Sequence, residues 1–400
     1  MDKFSRLTEI FKAFLKLGLI SFGGPVAHLG YFREEFVHRR KWLDDAAFGD
    51  LVALCQFLPG PASSQVVFAL GMRRAGVAGA LTASFCFTMP SAILMILFAY
   101  GIGAFGDLRH AGWLHGLKLA AVAVVAQAVW GMGRNLCPDL RRKIMALAAA
   151  AFVLLFPGAF SQIAAIAMGA MIGWWIYRDA VQGRDVQAEP GRLGIRAHVT
   201  AAACLVVFFT LLIAFPLFAT EVRSETLSVF DSFYRAGSLV FGGGHVVLPL
   251  LRAEVVPKGW MSDDTFLAGY GAAQALPGPL FTFAAYLGTV MHPGPWAWLR
   301  GLICLFAIFL PAWLLVGGAL PFWEELRKKN WMQAALRGGN ASVVGVLLAA
   351  LYNPVIITGV RNAQDVAVAL IAFGLLEYRK TPPWLVVILA AIVGQFLLPH

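Results

Sequence analysis

Gln56-Phe-Leu-Pro-Gly-Pro61 recurs as Gln274-Ala-Leu-Pro-Gly-Pro279, each time inside an apolar stretch. Pro lacks an amide N–H and clashes with the preceding turn, and Gly is the next weakest helix former, so each motif interrupts a helix. Beyond each break a new helix N-terminus begins. Its first N–H groups have no intrahelical partner, and the aligned peptide dipoles add partial positive charge. That combination binds oxyanions without any charged side chain. Candidate substrate-binding positions are therefore Pro59, Gly60 and Pro61, with Pro277, Gly278 and Pro279. The amides of Gln56 and Gln274 and the hydroxyls of Ser63, Ser64 and Thr282 are placed to complete the coordination. A second pair of breaks adds Phe22, Gly23, Gly24 and Pro25 in one stretch and Phe241, Gly242, Gly243 and Gly244 in the other. Glycine at these points lets a ligand approach the backbone closely. Packing kinks are the simpler explanation of one such break, but two breaks in each of two copies favour a binding role.

Lys16, Lys118, Arg235 and Arg337 fall inside or near apolar stretches. An intramembrane charge costs several kcal/mol unless it has a partner or a role. Two roles fit: attracting an anion, or snorkelling from a span end to the interface. Acidic residues inside the spans are few, with Asp50 the main candidate, which argues against a cationic substrate. His28 and His245 lie one position apart in the aligned copies, where proton coupling competes with plain packing. Gly101–Gly106 matches the letters of the dinucleotide motif G-x-G-x-x-G, but it ends an apolar helix instead of following a strand. The sequence has no P-loop, H-E-x-x-H or C-x-x-C, and its five cysteines are scattered, so neither catalysis nor a cofactor or metal is expected.

The elements that must hold these residues are membrane helices. The chain is 59% hydrophobic and only 14% charged, against about 25% charged in ordinary soluble domains. Its apolar blocks match the ~17–25 residues that cross a bilayer as a helix. No alternation of the kind a transmembrane barrel needs is visible. Apolar segments run at 11–37, 45–72, 79–103, 112–133, 143–157, 160–177, 199–219, 229–256, 264–290, 296–320, 331–352, 363–377 and 383–398. The net charge of +10 admits nucleic acid, but the basic residues sit between apolar blocks, where they set topology. Nucleic acid is excluded on that ground; the lipid bilayer is the expected surrounding, and homo-oligomerisation stays open.

The second half repeats the first. A shift of 219 carries Phe14, Gly18, Phe22-Gly23-Gly24, Arg33 and Glu35 onto Phe233, Gly237, Phe241-Gly242-Gly243, Arg252 and Glu254. A shift of 218 carries Trp42, Asp45, Phe48, Gln56 and Pro59-Gly60-Pro61 onto Trp260, Asp263, Phe266, Gln274 and Pro277-Gly278-Pro279. The expected division is an N-terminal repeat (1–177), a polar linker with an unpaired crossing at 199–219 (178–228), and a C-terminal repeat (229–400). One odd crossing between the copies turns the second upside down. The expected fold class is all-α, polytopic, with two inverted-topology repeats and discontinuous or re-entrant helices, an architecture that places sites where the repeats meet.

Lys and Arg cluster on the side of the N-terminus, which predicts a cytoplasmic N-terminus. The loop with Arg33, Arg39, Arg40 and Lys41 dissents if every segment crosses. It conforms if the first two segments of each repeat are re-entrant hairpins, so thirteen crossings and nine crossings plus four hairpins both remain.

The paired motifs, Phe-Gly-Gly-Pro before Gln-x-Leu-Pro-Gly-Pro and Phe-Gly-Gly-Gly-His before Gln-Ala-Leu-Pro-Gly-Pro, resemble the chromate ion transporter family in its long, two-domain bacterial form. The resemblance spans nearly the whole chain and is strongest at 14–75 and 233–290. It implies a multi-pass protein of the bacterial inner membrane that exports chromate and confers resistance, with sulfate as a competing tetrahedral dianion. The family positions fall on Phe22, Gly23, Gly24, Pro25, Gln56, Pro59, Gly60 and Pro61. Gly244 stands where the first copy has Pro25, so the second copy implies a looser site. A sulfate or other oxyanion carrier and a passive anion channel are the alternatives.

Overall fold

The Gly and Pro breaks divide the apolar segments into half-helices. The computed structural model describes residues 3–22, 24–104, 112–156, 159–178, 195–222, 224–240, 246–322 and 330–397, which are helical with no strand among them. The first segment becomes α1 (Lys3–Ile20) and α2 (Gly24–Arg33), the latter continuing through a π turn over Glu34–Arg39. The second becomes α3 (Asp45–Phe57) and the start of α4 (Ala62–Ala104), which bends sharply at Ala75 and Gly76. In the second half the same pieces are α9 (Glu225–Ser238), α10 (Val247–Val255), α11 (Asp263–Ala275) and, after a short turn at Leu280–Thr282, α12 (Phe283–Met291). Polar caps fix where the second pieces begin: Asp44 accepts from the Ala47 amide and Ser262 from the Thr265 amide, and the two caps are 218 apart.

Each broken segment folds back on itself. On the first, Arg40 and Trp42 reach Glu9, and Glu35 meets Lys16, so the end of the π turn returns to the start of α1. On the second, the Arg74 guanidinium lies over the Trp42 ring, which brings the far end of that hairpin back to where α3 begins. The C-terminal half repeats this, with Lys258 bonded to Ser232 and Glu254 to Arg235 across one hairpin, and the Tyr286 hydroxyl donating to the Thr265 carbonyl across the other. The first two segments of each half are therefore helical hairpins. Their legs explain the shape: α3 has 13 residues and α9 has 14, about 20 Å at 1.5 Å per residue, short of a ~30 Å hydrocarbon core.

The remaining helices are α5 (Gly112–Leu136), α6 (Leu140–Leu155), α7 (Ala159–Tyr177), α8 (Ile195–Val222), α13 (Ala297–Ala319), α14 (Asn330–Ala350), α15 (Ala363–Glu377) and α16 (Pro383–Leu397). Five stretches among the described residues are long and apolar enough to cross a bilayer: 62–102, 112–136, 198–218, 297–319 and 330–359. The protein is an all-α, polytopic membrane protein. The helix at 199–219, unpaired in the repeat, is α8, and it exposes Val206, Phe209, Ile213 and Leu217 on its outer face.

The two halves interlock by exchange. α5 of the first half packs against α15 and α16 of the second, while α14 of the second packs against α6 and α7 of the first. Small residues permit the approach, because a Cβ on Gly116 would strike the Ala390 carbonyl and one on Gly338 the Gly169 carbonyl. Such small-residue faces are how helices pack closely in membranes, where no hydrophobic driving force separates helix from lipid.

Candidate anion site at the hairpin tips

The four breaks meet tip to tip. The Gly60 amide donates to the Val240 carbonyl at 2.6 Å, and the Gly278 amide donates to the Ser21 carbonyl at 2.9 Å. Gly60 and Gly278 are repeat partners, as are Ser21 and Val240. Each half thus sends its second tip to the first tip of the other. Both glycines have positive φ, +124° and +91°, a region open to glycine and strained for other residues.

Proline-bent helices stand behind the tips in the same reciprocal way. Ser91, next to Pro90 in α4, lies against Gly278, and Ala312, next to Pro311 in α13, lies against Gly60. The Ser91 hydroxyl also meets the Thr282 hydroxyl at 2.7 Å, and Thr282 donates to the Pro279 carbonyl at 2.8 Å. α4 starts immediately after Pro61, and the first amide with an intrahelical partner is Gln65, bonded to the Pro61 carbonyl at 2.9 Å. The amides of Ala62, Ser63 and Ser64 are thus the orphan donors of a helix N-terminus. In the second half the equivalent start is the tighter turn at Leu280–Thr282.

The polar side chains come mainly from the first half. The buried ring of His28 has Nε2 at 3.1 Å from the Ser21 carbonyl and Nδ1 at 3.3 Å from the Ser63 hydroxyl. A carbonyl only accepts, so Nε2 carries the proton toward it and Nδ1 accepts from Ser63. His28 thus braces the first two tips through both nitrogens. The Gln65 amide donates to the Pro59 carbonyl at 2.8 Å. Ser21 Oγ, Ser64 Oγ and Gln65 Oε1 are buried without a partner. Native proteins rarely leave buried polar atoms unsatisfied, and an unfilled one invites a ligand or water. At the repeat positions of Ser63 and Gln65 stand Phe281 and Phe283, so the copies differ most at the chemistry; only Ser64 and Thr282 keep a hydroxyl in both. Gly24, at φ +75°, opens α2, and a Cβ there would meet nothing within 4 Å, so the first tip adjoins open space.

Several sequence candidates are thus gathered: Phe22, Gly24 and Pro25 at the first tip, Pro59, Gly60, Pro61, Ser63 and Ser64 at the second, and Pro277, Gly278, Pro279 and Thr282 at the fourth. The Phe22 ring packs on Trp384, 5.9 Å between centroids. Pro25 follows Gly24, whose φ of +75° lies outside the helical region, and so begins the regular turn of α2, where a missing N–H costs nothing. Gln56 lies one turn below its tip and is exposed, whereas Gln274 is half-buried with an unpartnered Nε2. Gly23, Phe241, Gly242, Gly243, Gly244 and His245 lie outside the described residues. Gln65 and Ser91 went unrecognised in the sequence, although Gln65 directly follows Ser63-Ser64 after the second break and Ser91 directly follows Pro90.

The four cations stand apart from the tips and each has a partner. Lys16 meets Glu35 at 3.5 Å and its repeat partner Arg235 meets Glu254 at 3.1 Å, so one ion pair is built twice. Lys118, buried, meets Asp264 at 2.6 Å, and the Arg337 guanidinium lies over the Tyr177 ring. Arg33–Asp45 and Arg252–Asp263 form another duplicated pair, at 2.7 and 2.6 Å. Glu35 and Glu254 are buried acids, each 19 residues after its partner, Lys16 or Arg235.

A family model for the chromate transporter matches two regions, residues 8–174 and 227–395. The chain belongs to the chromate transporter family. A chromate transport protein of Pseudomonas aeruginosa is 28% identical over 98% of this chain and 92% of its own length. Another of Cupriavidus metallidurans is 25% identical over 98% of this chain and 94% of its own. An uncharacterized transporter of Methanocaldococcus jannaschii is 26% identical over 98% of this chain and 94% of its own length. No solved structure matches the chain. Each matched region of this chromate transporter family member contains two of the four hairpin tips.

Proposed function

We propose that the protein is a secondary transporter that exports chromate across the bacterial inner membrane and so confers chromate resistance. The observation that carries this reading is the reciprocal meeting of the tips, Gly60 with Val240 and Gly278 with Ser21, in a chain of the chromate transporter family. A tetrahedral dianion would be bound by the N-terminal amides of α4 and by the unpartnered Ser64 hydroxyl, with Gln65 and Thr282 holding the tip backbone at Pro59 and Pro279. The chemistry is positioning and charge–dipole attraction, with no bond made or broken, which agrees with a protein that is not an enzyme. The four cations, with their acidic or aromatic partners, set the field of the two vestibules and leave first contact with the anion to the tips.

The halves are proposed to be inverted. Hairpins that return to their own side, with one unpaired crossing at α8, give nine crossings and place Arg33, Arg39, Arg40 and Lys41 on the side of the N-terminus. That agrees with a cytoplasmic N-terminus and returns the dissenting loop to the cytoplasmic side, while the loop of Arg252 and Lys258 moves to the opposite side. A pairwise exchange between repeats is also what a two-fold relation between them produces.

A dianion leaving a cell that is negative inside gains roughly 4–5 kcal/mol per 100 mV, at about 2.3 per charge. Efflux therefore needs no nucleotide. Purified protein in proteoliposomes tests the proposal: it should show saturable chromate flux with counterflow, and external sulfate should compete. Conductance without counterflow would mark an anion channel, and sulfate flux without chromate flux would mark a sulfate carrier.

A further inference from the structure

A cationic cavity lies away from the tips, at the open end of the N-terminal hairpins. It measures about 340 Å3 and is lined by Arg6, Trp42, Leu43, Leu70, Arg73 and Arg74. Its wall is braced: Glu9 accepts from Arg74 at 2.8 Å and from the Trp42 indole at 3.0 Å, and the Arg74 guanidinium lies 5.1 Å from the Trp42 ring centre. Glu9 is shared with Arg40 as well. Arg6 and Arg73 are exposed and, among the described residues, have no carboxylate within ion-pair distance. Among the described residues the cavity thus keeps a surplus of positive charge that Glu9 alone does not cancel.

The repeat shows that the fold does not require this surplus. The positions matching Arg6, Arg73 and Arg74 are Glu225, Met291 and His292. There Glu225 pairs with His292 and with Arg300, closing the equivalent corner with an internal ion pair. The structural pairs Arg33–Asp45 and Lys16–Glu35 are, by contrast, kept in the second copy. Among these charged positions, the divergence therefore falls on this cavity.

We infer that the pocket of Arg6, Arg73, Arg74 and Trp42 binds a tetrahedral oxyanion group. Guanidinium forks match phosphate-type oxygens in pairs, and a braced arginine loses little freedom on binding. Two sources carry that chemistry. One is the phosphate of an anionic phospholipid, suggested by Phe4 and Phe11, which stand exposed on α1 within about one and a half turns of Arg6, and by the interfacial habit of tryptophan. The other is a free oxyanion waiting at the mouth of the hairpins.

The test uses the full chain in detergent, wild type and Arg6→Gln/Arg73→Gln. Native mass spectrometry with phosphatidylglycerol against phosphatidylcholine reads the lipid source, and equilibrium dialysis with radiolabelled inorganic phosphate reads the free one. The expected result is selective binding of at least one probe by the wild type, weakened tenfold or more in the double variant. Binding of both probes unchanged by the substitutions, or of neither by the wild type, overturns the inference. Arg6→Gln alone, at an exposed side chain, should give a partial loss and guards against misfolding of the double variant. Chromate counterflow at saturating substrate should persist in the double variant, so failure of the transport reading and failure of this pocket show up in different assays.

Discussion

Gly60 donates its amide to the Val240 carbonyl at 2.6 Å, and this bond joins the second hairpin tip of one half to the first tip of the other. Its counterpart from Gly278 to Ser21 closes the ring. An alanine at either glycine must hold a positive φ, and the two sites differ in what else it meets. At Gly60 the new Cβ meets the Gln65 side-chain amide, which is held on the Pro59 carbonyl, and the Ala312 Cβ at 3.2 Å, whereas at Gly278 the nearest atom is the Phe87 backbone carbonyl at 3.3 Å. Gly278→Ala should therefore cost about 1–3 kcal/mol of stability and Gly60→Ala at least as much, with both lowering chromate flux. Thermal midpoints in detergent beside proteoliposome flux check this; wild-type flux in both variants would remove the tips from the transport path.

The hairpins make a topological prediction. Cysteines introduced at Glu34→Cys and Pro257→Cys, both at exposed positions near hairpin ends, should react with an impermeant thiol reagent from opposite sides. Glu34→Cys should label from the cytoplasm. The five native cysteines are free, and four of them are buried, which keeps the background low. Labelling of Glu34→Cys from outside would mean that the first segment crosses the membrane after all.

Arg235 and Lys16 occupy matching positions but should differ in effect. Removing Arg235 strips Asp231 and Glu254, both buried, of their contacts at 2.8 and 3.1 Å and leaves Glu254 with Lys258 alone. An uncompensated buried charge costs about 3 kcal/mol. Lys16 is 47% exposed and Glu35 keeps Arg39 and Arg40, so Lys16→Ala should cost under about 1 kcal/mol. Thermal midpoints decide between them, and adding Asp231→Asn and Glu254→Gln should restore part of the Arg235→Ala loss. Should Lys16→Ala lose flux at unchanged stability, its charge serves the anion and not only the pair.

In the proposed transport cycle the tips separate from the helices behind them. Ser91 and Thr282, with hydroxyls 2.7 Å apart on α4 and at the fourth tip, offer a lock. Ser91→Cys/Thr282→Cys should cross-link under oxidation and lose flux, and reductant should return it. Full flux in the cross-linked protein would show that this contact does not open.

Much of the fold is legible in the residues themselves. The duplication, the Pro-Gly-Pro breaks and the excess apolar length specify an all-α membrane protein with four interruptions, because backbone chemistry at Gly and Pro is local. Which way each broken segment runs is not local. The turn-back depends on Glu9 meeting Trp42 and Lys16 meeting Glu35, contacts between residues 33 and 19 apart in the chain. The buried acids were hidden for the same reason: the three cationic partners of Glu35 come from α1 and from the end of the π turn. Ser91 was missed because its partner Thr282 lies 191 residues away.

The central claim is that an oxyanion is held at the tips, and Ser64 tests it most directly. Its hydroxyl is buried and has no partner in the protein, so Ser64→Ala breaks no hydrogen bond and should leave stability unchanged or raise it by up to about 1 kcal/mol. Chromate counterflow in proteoliposomes, measured against substrate concentration, should show the KM raised several-fold in Ser64→Ala at an unaltered thermal midpoint. Counterflow indistinguishable from wild type, at every chromate concentration, would contradict the account.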